Sequence, residues 1–289
     1  MEYTLENEEI AIRVSSHGAE LRSLLDQKTK REYMWCGDSF YWGRVSPVLF
    51  PIVGAVRENT YRYRDKSYHM SQHGFARDMD FELIRENKEE IWFGLTQREE
   101  TLEKYPFAFC LMIGYRITGR DVKVMWQVSN PATEPMYFSI GGHPAFACEK
   151  REKGKTTCYL KFDGVKELQA RKLSGGLASN VTEGIVLEEG GFLPVTEELF
   201  AEDALIMENR QTGKVSLCDG NRQPYLKVSF DAPLFGVWSP VGKNAPFICI
   251  EPWYGRCDAV DFTGTLEERE WGSELSGGGL FETSYTISI

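Results

Sequence analysis

The chain has 289 residues, of which 42% are hydrophobic and 26% charged, as in an ordinary globular protein with a large core. Its formal net charge of −10 argues against nucleic-acid binding, because such a protein needs a basic face. Aromatic residues make up 13% of the chain and favour strands over a helical bundle.

The cysteines and the N-terminus indicate the compartment. Seven cysteines without a CxxC pair predict free thiols in a reducing environment rather than a disulfide framework. The acidic N-terminus has no apolar core and so differs from a signal peptide. No window reaches the roughly 20 apolar residues that a membrane span needs. We therefore expect a cytoplasmic protein, monomeric or homodimeric, with neither a membrane nor a nucleic acid as partner.

Short strands separated by turn residues dominate the predicted elements. The first hairpin turns at 64–67. A second pairs 81–84 with 91–95, and a third runs from 109 to 128 around a turn at 118–121. Further strands are predicted at 158–162, 204–207, 215–218, 225–230 and 247–250. The last segment, 281–289, alternates apolar with polar residues, which is typical of a strand with one buried face.

Helical signals are confined to 99–105 and 196–200, and neither segment carries an apolar stripe at helical spacing. Nothing alternates strand with helix, which argues against βαβ folds. The Gly-rich pieces 174–176 and 276–279 are too short to link two domains. The sequence therefore predicts one all-β, mainly antiparallel sandwich domain over residues 1–289.

Two of the four histidines lie among glycine, proline and aromatic residues at the end of a strand-like run. His73 follows the first hairpin and precedes Gly74, while His143 stands between Gly142 and Pro144. A lone histidine is more often a hydrogen-bonded structural residue than a catalyst. Strand ends, however, are where a rigid sheet places working side chains, and an imidazole moves protons near neutral pH. Both histidines are therefore candidates for acid–base chemistry.

Carboxylates and arginines supply the other candidates. Glu251 ends the apolar strand 247–250, where a carboxylate is uncommon unless it is paired or used. It is either an ion-pair partner of Arg256 or a base whose pKa partial burial raises. Asp203 enters another predicted strand as a turn residue or a ligand contact. Arg57 and Arg77 offer forked donors to a hydroxyl oxygen or a phosphate, unless they are merely solvated.

The motifs for metals and cofactors are missing. There is no HxH, HExxH or Cys/His cluster at ligand spacing, and His73 and His143 can share a metal only if the fold brings them together. GxGxxG, P-loop and GxSxG sequences are also absent, so neither a nucleotide cofactor nor a nucleophilic serine is indicated. We predict no metal and no cofactor.

Three stretches carry a family resemblance: Ser-Gln-His-Gly-Phe-Ala-Arg-Asp at 71–78, Ser-Ile-Gly-Gly-His-Pro-Ala-Phe at 139–146 and Cys-Ile-Glu-Pro-Trp-Tyr-Gly-Arg at 249–256. With further pieces at 18–24, 50–54, 203–205, 236–240 and 281–289, they form an ordered set over nearly the whole chain. This set resembles the aldose 1-epimerase (galactose mutarotase) family, most closely its LacX-like branch. The resemblance implies a large β-supersandwich with the site on one concave face.

The family consists of cofactor-independent isomerases that interconvert the α and β anomers of free aldoses. Ring opening needs a proton on the ring oxygen and the removal of one from the anomeric hydroxyl, for which an acid and a base on opposite sides suffice. The resemblance makes Glu251 the base and His143 the acid. It gives His73 a hydrogen bond near the ring oxygen.

The substrate contacts leave alternatives open. The resemblance assigns hydroxyl contacts to Arg57 and Asp203, while Trp253 either packs against the sugar or frames the glutamate. The run after His73 also looks like that of the hexose-6-phosphate epimerases, so Arg77 with Arg57 can meet a phosphate. An epimerase acting on a free hexose such as galactose is the main prediction. The alternatives are a hexose-6-phosphate 1-epimerase and a non-catalytic carbohydrate-binding protein.

Overall fold

A computed structural model of the chain describes residues 1–149 and 157–289. Strands dominate these ranges. The first half contains β1 (Glu2–Glu6), β2 (Ile10–Ser15), β3 (Glu20–Asp26), β4 (Val48–Leu49), β5 (Thr60–Tyr63), β6 (Lys66–His69), β7 (Glu82–Glu86), β8 (Glu90–Thr96), β9 (Cys110–Thr118), β10 (Asp121–Ser129), β11 (Met136–Phe138), β12 (Ile140–Gly142) and β13 (Ala145–Ala147). The second half contains β14 (Cys158–Lys161), β15 (Glu167–Ser174), β16 (Leu177–Val186), β17 (Phe192–Pro194), β18 (Leu205–Met207), β19 (Lys214–Asp219), β20 (Pro224–Phe230), β21 (Leu234–Trp238), β22 (Phe247–Tyr254), β23 (Ser273–Leu275) and β24 (Leu280–Ser288).

Helix plays a small part in the described ranges. The segment predicted at 99–105 is helical only over α1 (Glu99–Leu102), and the one at 196–200 is a single 3-10 turn at Glu198–Phe200. Other 3-10 turns lie at Arg57–Asn59, Ala76–Asp78 and Leu266–Glu268. No helix in these ranges has the length and apolar character needed to cross a membrane.

Two large sheets organise the fold. One has nine strands in the order β17-β14-β19-β20-β24-β10-β9-β8-β7. The other has eight strands, in the order β16-β15-β18-β21-β22-β12-β4 with β13 also paired to β22. The pairings within both sheets are antiparallel, for example β10 with β24 and β21 with β22. The all-β, mainly antiparallel fold predicted from the sequence is therefore confirmed.

The core lies between these sheets. Val124 and Trp126 of β10 and Ile287 of β24 share one buried cluster with Ile248 and Ile250 of β22. Each buried aliphatic side chain of this kind stabilises the fold by about 1.5–3 kcal/mol relative to its exposed state. The cluster ties β22 to the opposite sheet, so this strand has little freedom to move.

The hairpin of β15 with β16 was absent from the sequence prediction, as was the three-stranded sheet β1-β2-β3. The glycine pair at Gly175 and Gly176, interpreted only as too short for a linker, forms the turn between β15 and β16. Both glycines have positive φ, which other residues adopt only with strain. The strands escaped detection because β16 is mostly exposed and shows no apolar alternation.

Candidate active site

A cavity of about 280 Å³ lies against β22. Its wall includes Glu251 and Trp253 from that strand, His143 from the segment between β12 and β13, and His73 and Trp42 from two loops. Leu173 and Gly176, near the tip of the β15–β16 hairpin, line another side. The cavity is therefore built from strand residues at its base and loop residues at its rim.

The alternation of β22 determines what faces this cavity. Ile248 and Ile250 point into the core between the sheets. Cys249, Glu251 and Trp253 occupy the alternate positions and therefore share the opposite face, because side chains of a strand alternate. One strand thus joins the hydrophobic core to the site.

Trp253 lies flat against the sheet because its neighbours are glycines. Gly141 of β12 is directly opposite Trp253, and a Cβ atom there would lie 2.6 Å from the indole. At Gly236 of β21 a Cβ atom would also lie 2.6 Å from the ring. The indole, 5% exposed, therefore forms part of the cavity floor beside Glu251.

His73 is held by a two-way contact with Gly54. Its backbone N–H donates to the Gly54 carbonyl at 2.8 Å, and the Gly54 N–H donates to Nδ1 of the imidazole at 3.1 Å. A ring nitrogen that accepts a hydrogen bond carries no proton, so the neutral ring keeps its hydrogen on Nε2. Burial lowers the pKa of His73 well below its ordinary value, with further contributions from His143 and Arg77. His73 is thus a neutral hydrogen-bond donor.

The loop around His73 has a strained, closely packed backbone. His73 and Gly74 both have positive φ, at 67° and 71°. A Cβ atom at Gly74 would lie 2.2 Å from the carbonyl oxygen of Phe50, so only glycine fits there. This close approach fixes the direction in which the imidazole enters the cavity.

Aromatic rings surround His143. The indole of Trp42 stacks on its imidazole at 4.7 Å, and Trp238 and His73 meet it edge-on at 5.4 and 5.6 Å. Its Nδ1 is buried without a hydrogen-bond partner among the described residues. Burial, reinforced by the positive charges of Arg77 and Arg44, lowers the pKa of His143 to about 3. The ring is therefore neutral in the cavity.

Glu251 is paired with His143 rather than with an arginine. Its Oε2 lies 3.4 Å from Nε2 of His143, and the carboxyl is almost fully buried. Arg256, the partner considered from the sequence, instead donates from Nε to Glu208 at 2.6 Å and also contacts Glu270. The ion-pair interpretation of Glu251 was therefore wrong.

The environment of Glu251 favours its protonated form. Burial raises the pKa of its carboxyl well above the ordinary value, and the charge of Asp203 adds to this. The indole N–H of Trp253 opposes the shift through its dipole, although its geometry completes no hydrogen bond. In the free cavity the carboxyl of Glu251 is therefore protonated, beside the neutral imidazole of His143.

Asp203 and Arg77 add two charges to the cavity wall. Asp203 has a φ of 85°, and its carboxylate accepts a hydrogen bond from the backbone of Ala204. Arg77 donates from Nη2 to the Gln72 carbonyl at 2.7 Å, while its buried Nε makes no hydrogen bond among the described residues and lies 3.8 Å from Oδ2 of Asp78. Burial and then Arg44 lower its pKa to about 10, which still leaves Arg77 cationic at neutral pH.

Arg57 does not belong to this cavity. Its backbone N–H donates to the Asp258 carboxylate at 2.9 Å, and its Nη1 donates to the carbonyl of Phe262 at 3.2 Å. It lines a separate depression with Arg62 and Phe262. The sequence placed Arg57 near the site through the preceding motif, but the local backbone turns its side chain away. The six other predicted residues line the cavity: His73, Arg77, His143, Asp203, Glu251 and Trp253.

Some residues of the site escaped the sequence analysis. Trp42 was overlooked because it lies in an irregular loop, although the aromatic run at 40–42 was a signal. Trp238 belongs to the 236–240 motif that carried the resemblance, yet it received no role. Cys249 lies two residues before Glu251, and its strand position would have predicted a shared face.

Comparisons with known proteins match the chain over most or all of its length. A family model described as aldose 1-epimerase matches residues 1–260. "Protein LacX, chromosomal" from Lactococcus lactis subsp. lactis is 31% identical over 299 residues, covering 100% of this chain and 99% of that protein. The crystal structure of a galactose mutarotase related enzyme from Lactobacillus acidophilus has a TM-score of 0.93 and 35% identity, covering 100% of this chain and 97% of that one. A galactose mutarotase-like protein from Lactobacillus casei also has a TM-score of 0.93, with 31% identity and coverages of 100% and 99%.

Proposed function

The chain belongs to the aldose 1-epimerase family, and we propose that it interconverts the α and β anomers of a free hexose by acid–base ring opening and closure. The family match confirms the resemblance drawn from the sequence, and the fold is the galactose mutarotase type of β-sandwich. The single observation that carries the proposal is the buried contact between Glu251 and His143 in a cavity lined by His73 and Trp253. The proposed enzyme is a cytoplasmic isomerase without a cofactor.

The proposed reaction uses Glu251 and His143 as its two proton-transfer groups. The carboxylate of Glu251 takes the proton of the anomeric hydroxyl while His143 gives a proton to the ring oxygen, and C1 becomes an open aldehyde. After rotation about the C1–C2 bond, the chain closes on the other face of C1 and the two groups exchange roles. Each group contributes roughly 10²–10⁴-fold to the rate.

Sugar binding must first move the proton of the Glu251 carboxyl to His143. In the free cavity burial keeps it on Glu251, whereas the proposed base is the ionised carboxylate. Sugar hydroxyls donate hydrogen bonds to a carboxylate, which favours its charged form. Transfer across the 3.4 Å contact then leaves His143 protonated beneath the Trp42 ring, where a cation–π interaction stabilises the imidazolium.

His73 supports the proposal from a different direction. Its Nε2–H is the remaining donor of the ring, because Nδ1 accepts from Gly54. A donor of fixed tautomer suits an acceptor such as a ring oxygen, and it cannot compete for the proton that Glu251 and His143 share. In this proposal His73 orients the sugar, while Asp203 accepts hydroxyl hydrogens and Trp253 packs against the apolar ring face.

Optical rotation tests this function directly. Freshly dissolved α-D-glucose and α-D-galactose should reach their final rotation faster with the protein than without it. Glu251→Gln should lose the acceleration, whereas Glu90→Gln, a buried carboxylate on the other sheet, should keep it. A wild type that binds these sugars without accelerating their relaxation would leave carbohydrate binding as the function.

One observation favours a second candidate, a hexose-6-phosphate 1-epimerase. The cavity holds the cation of Arg77, whose buried Nε makes no hydrogen bond among the described residues, and Arg44 lies near enough to lower its pKa. Two neighbouring guanidinium groups attract a phosphate, although the carboxylate of Asp78, 3.8 Å from Arg77 and 2.8 Å from Arg44, partly offsets this attraction, and salt weakens it further. NMR exchange between the anomers of glucose 6-phosphate tests this candidate. Arg77→Gln should raise KM for the phosphate ester far more than for glucose if the cation binds phosphate, and equally if it does not.

A further inference from the structure

Cys249 lies beside His143 and Glu251, and the proposed reaction does not use it. The ligating atoms of His143, Cys249 and Glu251 all lie within 4.8 Å of one another, and all three side chains are buried. Nδ1 of His143 and Oε2 of Glu251 have no hydrogen-bond partner among the described residues. Buried polar atoms normally have partners, so these two atoms indicate room for a further ligand.

From this cluster we propose that His143, Cys249 and Glu251 form a binding site for a thiophilic divalent cation, with Zn²⁺ as the type case, and that the cation inhibits the enzyme. The proposed ligands are one imidazole nitrogen, one thiolate sulfur and one carboxylate oxygen. Zn²⁺ binds all three kinds of ligand and often leaves a fourth position open in a site with three protein ligands. The cavity beside Glu251 and His143 supplies that open position.

Charge balance selects a divalent ion. A divalent cation bound by one thiolate, one carboxylate and one neutral imidazole forms a cluster without net charge. Any proton on these ligands leaves for water as the cation binds, so no net charge is desolvated.

The sulfur ligand decides which divalent ions bind. Mg²⁺ and Ca²⁺ prefer oxygen ligands and gain little from a thiolate, whereas Zn²⁺ and Co²⁺ accept sulfur and nitrogen. A cation at this position occupies the lone pairs of Glu251 and His143 that the reaction needs. It therefore blocks proton transfer and competes with the sugar, which distinguishes it from a resident cofactor.

Cobalt absorption tests the site in the full chain. Titration of wild-type protein with Co²⁺ should produce the near-ultraviolet charge-transfer band of a thiolate–cobalt bond, and Zn²⁺ should remove it. Cys249→Ser and Cys249→Ala should lose the band and bind Zn²⁺ at least about 10–100-fold more weakly, the loss typical even of an outer-shell partner. Cys257→Ser is the matched control, because Cys257 is also buried and lines the cavity but lies outside the cluster.

The outcomes separate cleanly. Absence of the thiolate band in wild type, or unchanged Zn²⁺ affinity in a folded Cys249 variant, overturns the proposal, as does loss of the band in Cys257→Ser. If neither Cys249 variant folds, Glu251→Gln decides in the same titration, since it removes a ligand without touching the thiol.

Binding does not rest on the proposed function, although inhibition does. A wild type that binds the cation through Cys249 yet never accelerates anomer exchange retains the metal site and loses the epimerase assignment. An active enzyme with no thiolate band and no inhibition by Zn²⁺ retains the function and loses the metal site.

Discussion

Replacing Glu251 by glutamine should lower activity and raise stability at the same time. Glutamine keeps the size of the side chain but can neither accept the anomeric proton as a base nor ionise. We expect turnover to fall by at least about 10², the lower limit for a general base, which corresponds to about 2.7 kcal/mol in the barrier.

The gain in stability follows from the burial of the carboxyl. Its folded-state pKa is raised well above the ordinary value of 4.5, so the folded protein binds this proton more tightly than the unfolded chain. That contribution is fully present below the unfolded pKa and is lost as the pH rises through the folded pKa. Between pH 4.5 and 7 the window is about 2.5 units, which limits the loss to about 3.4 kcal/mol at 1.36 kcal/mol per unit. Glutamine escapes this loss and should therefore be more stable than wild type at pH 7, by no more than that limit.

Urea unfolding at pH 4.5 and pH 7, with polarimetry on the same samples, measures both effects. Glu90→Gln provides the opposite sign, because hydrogen bonding to Arg116 lowers the pKa of Glu90 and its removal should destabilise the fold at pH 7. The reasoning is refuted if Glu251→Gln loses stability between pH 4.5 and 7 as wild type does. It is also refuted if its turnover stays within tenfold of wild type.

Three further predictions concern the rim, the His73 loop and the network behind the site. Arg57→Ala should leave kcat and KM for a free hexose within about twofold, since the guanidinium lies outside the cavity. Asp203→Asn should raise KM about tenfold or more, because it removes one charged hydrogen bond. Polarimetric initial rates measure both effects. Gly74→Ala should lower the free energy of unfolding by more than about 2 kcal/mol, because a left-handed alanine is strained and its Cβ collides with the Phe50 carbonyl. Equal urea midpoints for the variant and the wild type would contradict this. Burial alone would raise the pKa of Glu208, but its paired arginines lower it. This carboxylate therefore adds stability above its unfolded pKa, and that stability is lost as the pH falls through the folded pKa. In urea unfolding, Glu208→Gln should reduce the loss of stability with falling pH.

Periodicity made much of the fold predictable. The alternation in 281–289 became β24, and the hairpin around 118–121 became β9 and β10, in which Thr118 is paired with Asp121. A strand with one buried face alternates apolar and polar residues, and this alternation can be recognised in the sequence. The exposed strand β16 has no such face, so its hairpin with β15 was invisible until the structure was known.

The candidate site was predictable where a motif fixed the backbone. His143 follows β12, Glu251 lies within β22, and His73 is held in its loop by Gly54, so their local sequences located them. Arg57 failed because a motif places a backbone without stating where a long side chain goes. The stacking of Trp42 on His143 joins segments distant along the chain, so the aromatic run at 40–42 alone did not indicate this contact.

The division of the cavity between sheet and loops has an evolutionary consequence. Glu251 is next to Ile250, which is part of the core, so substitutions in this stretch of β22 should impair both the proposed chemistry and folding. Leu173 and Gly176 sit near the tip of a mostly exposed hairpin, where substitutions are tolerated. In the proposed epimerase, substitutions in the hairpin can therefore change which sugar is accepted while the proton chemistry is retained, and specificity should diverge faster than catalysis among related proteins.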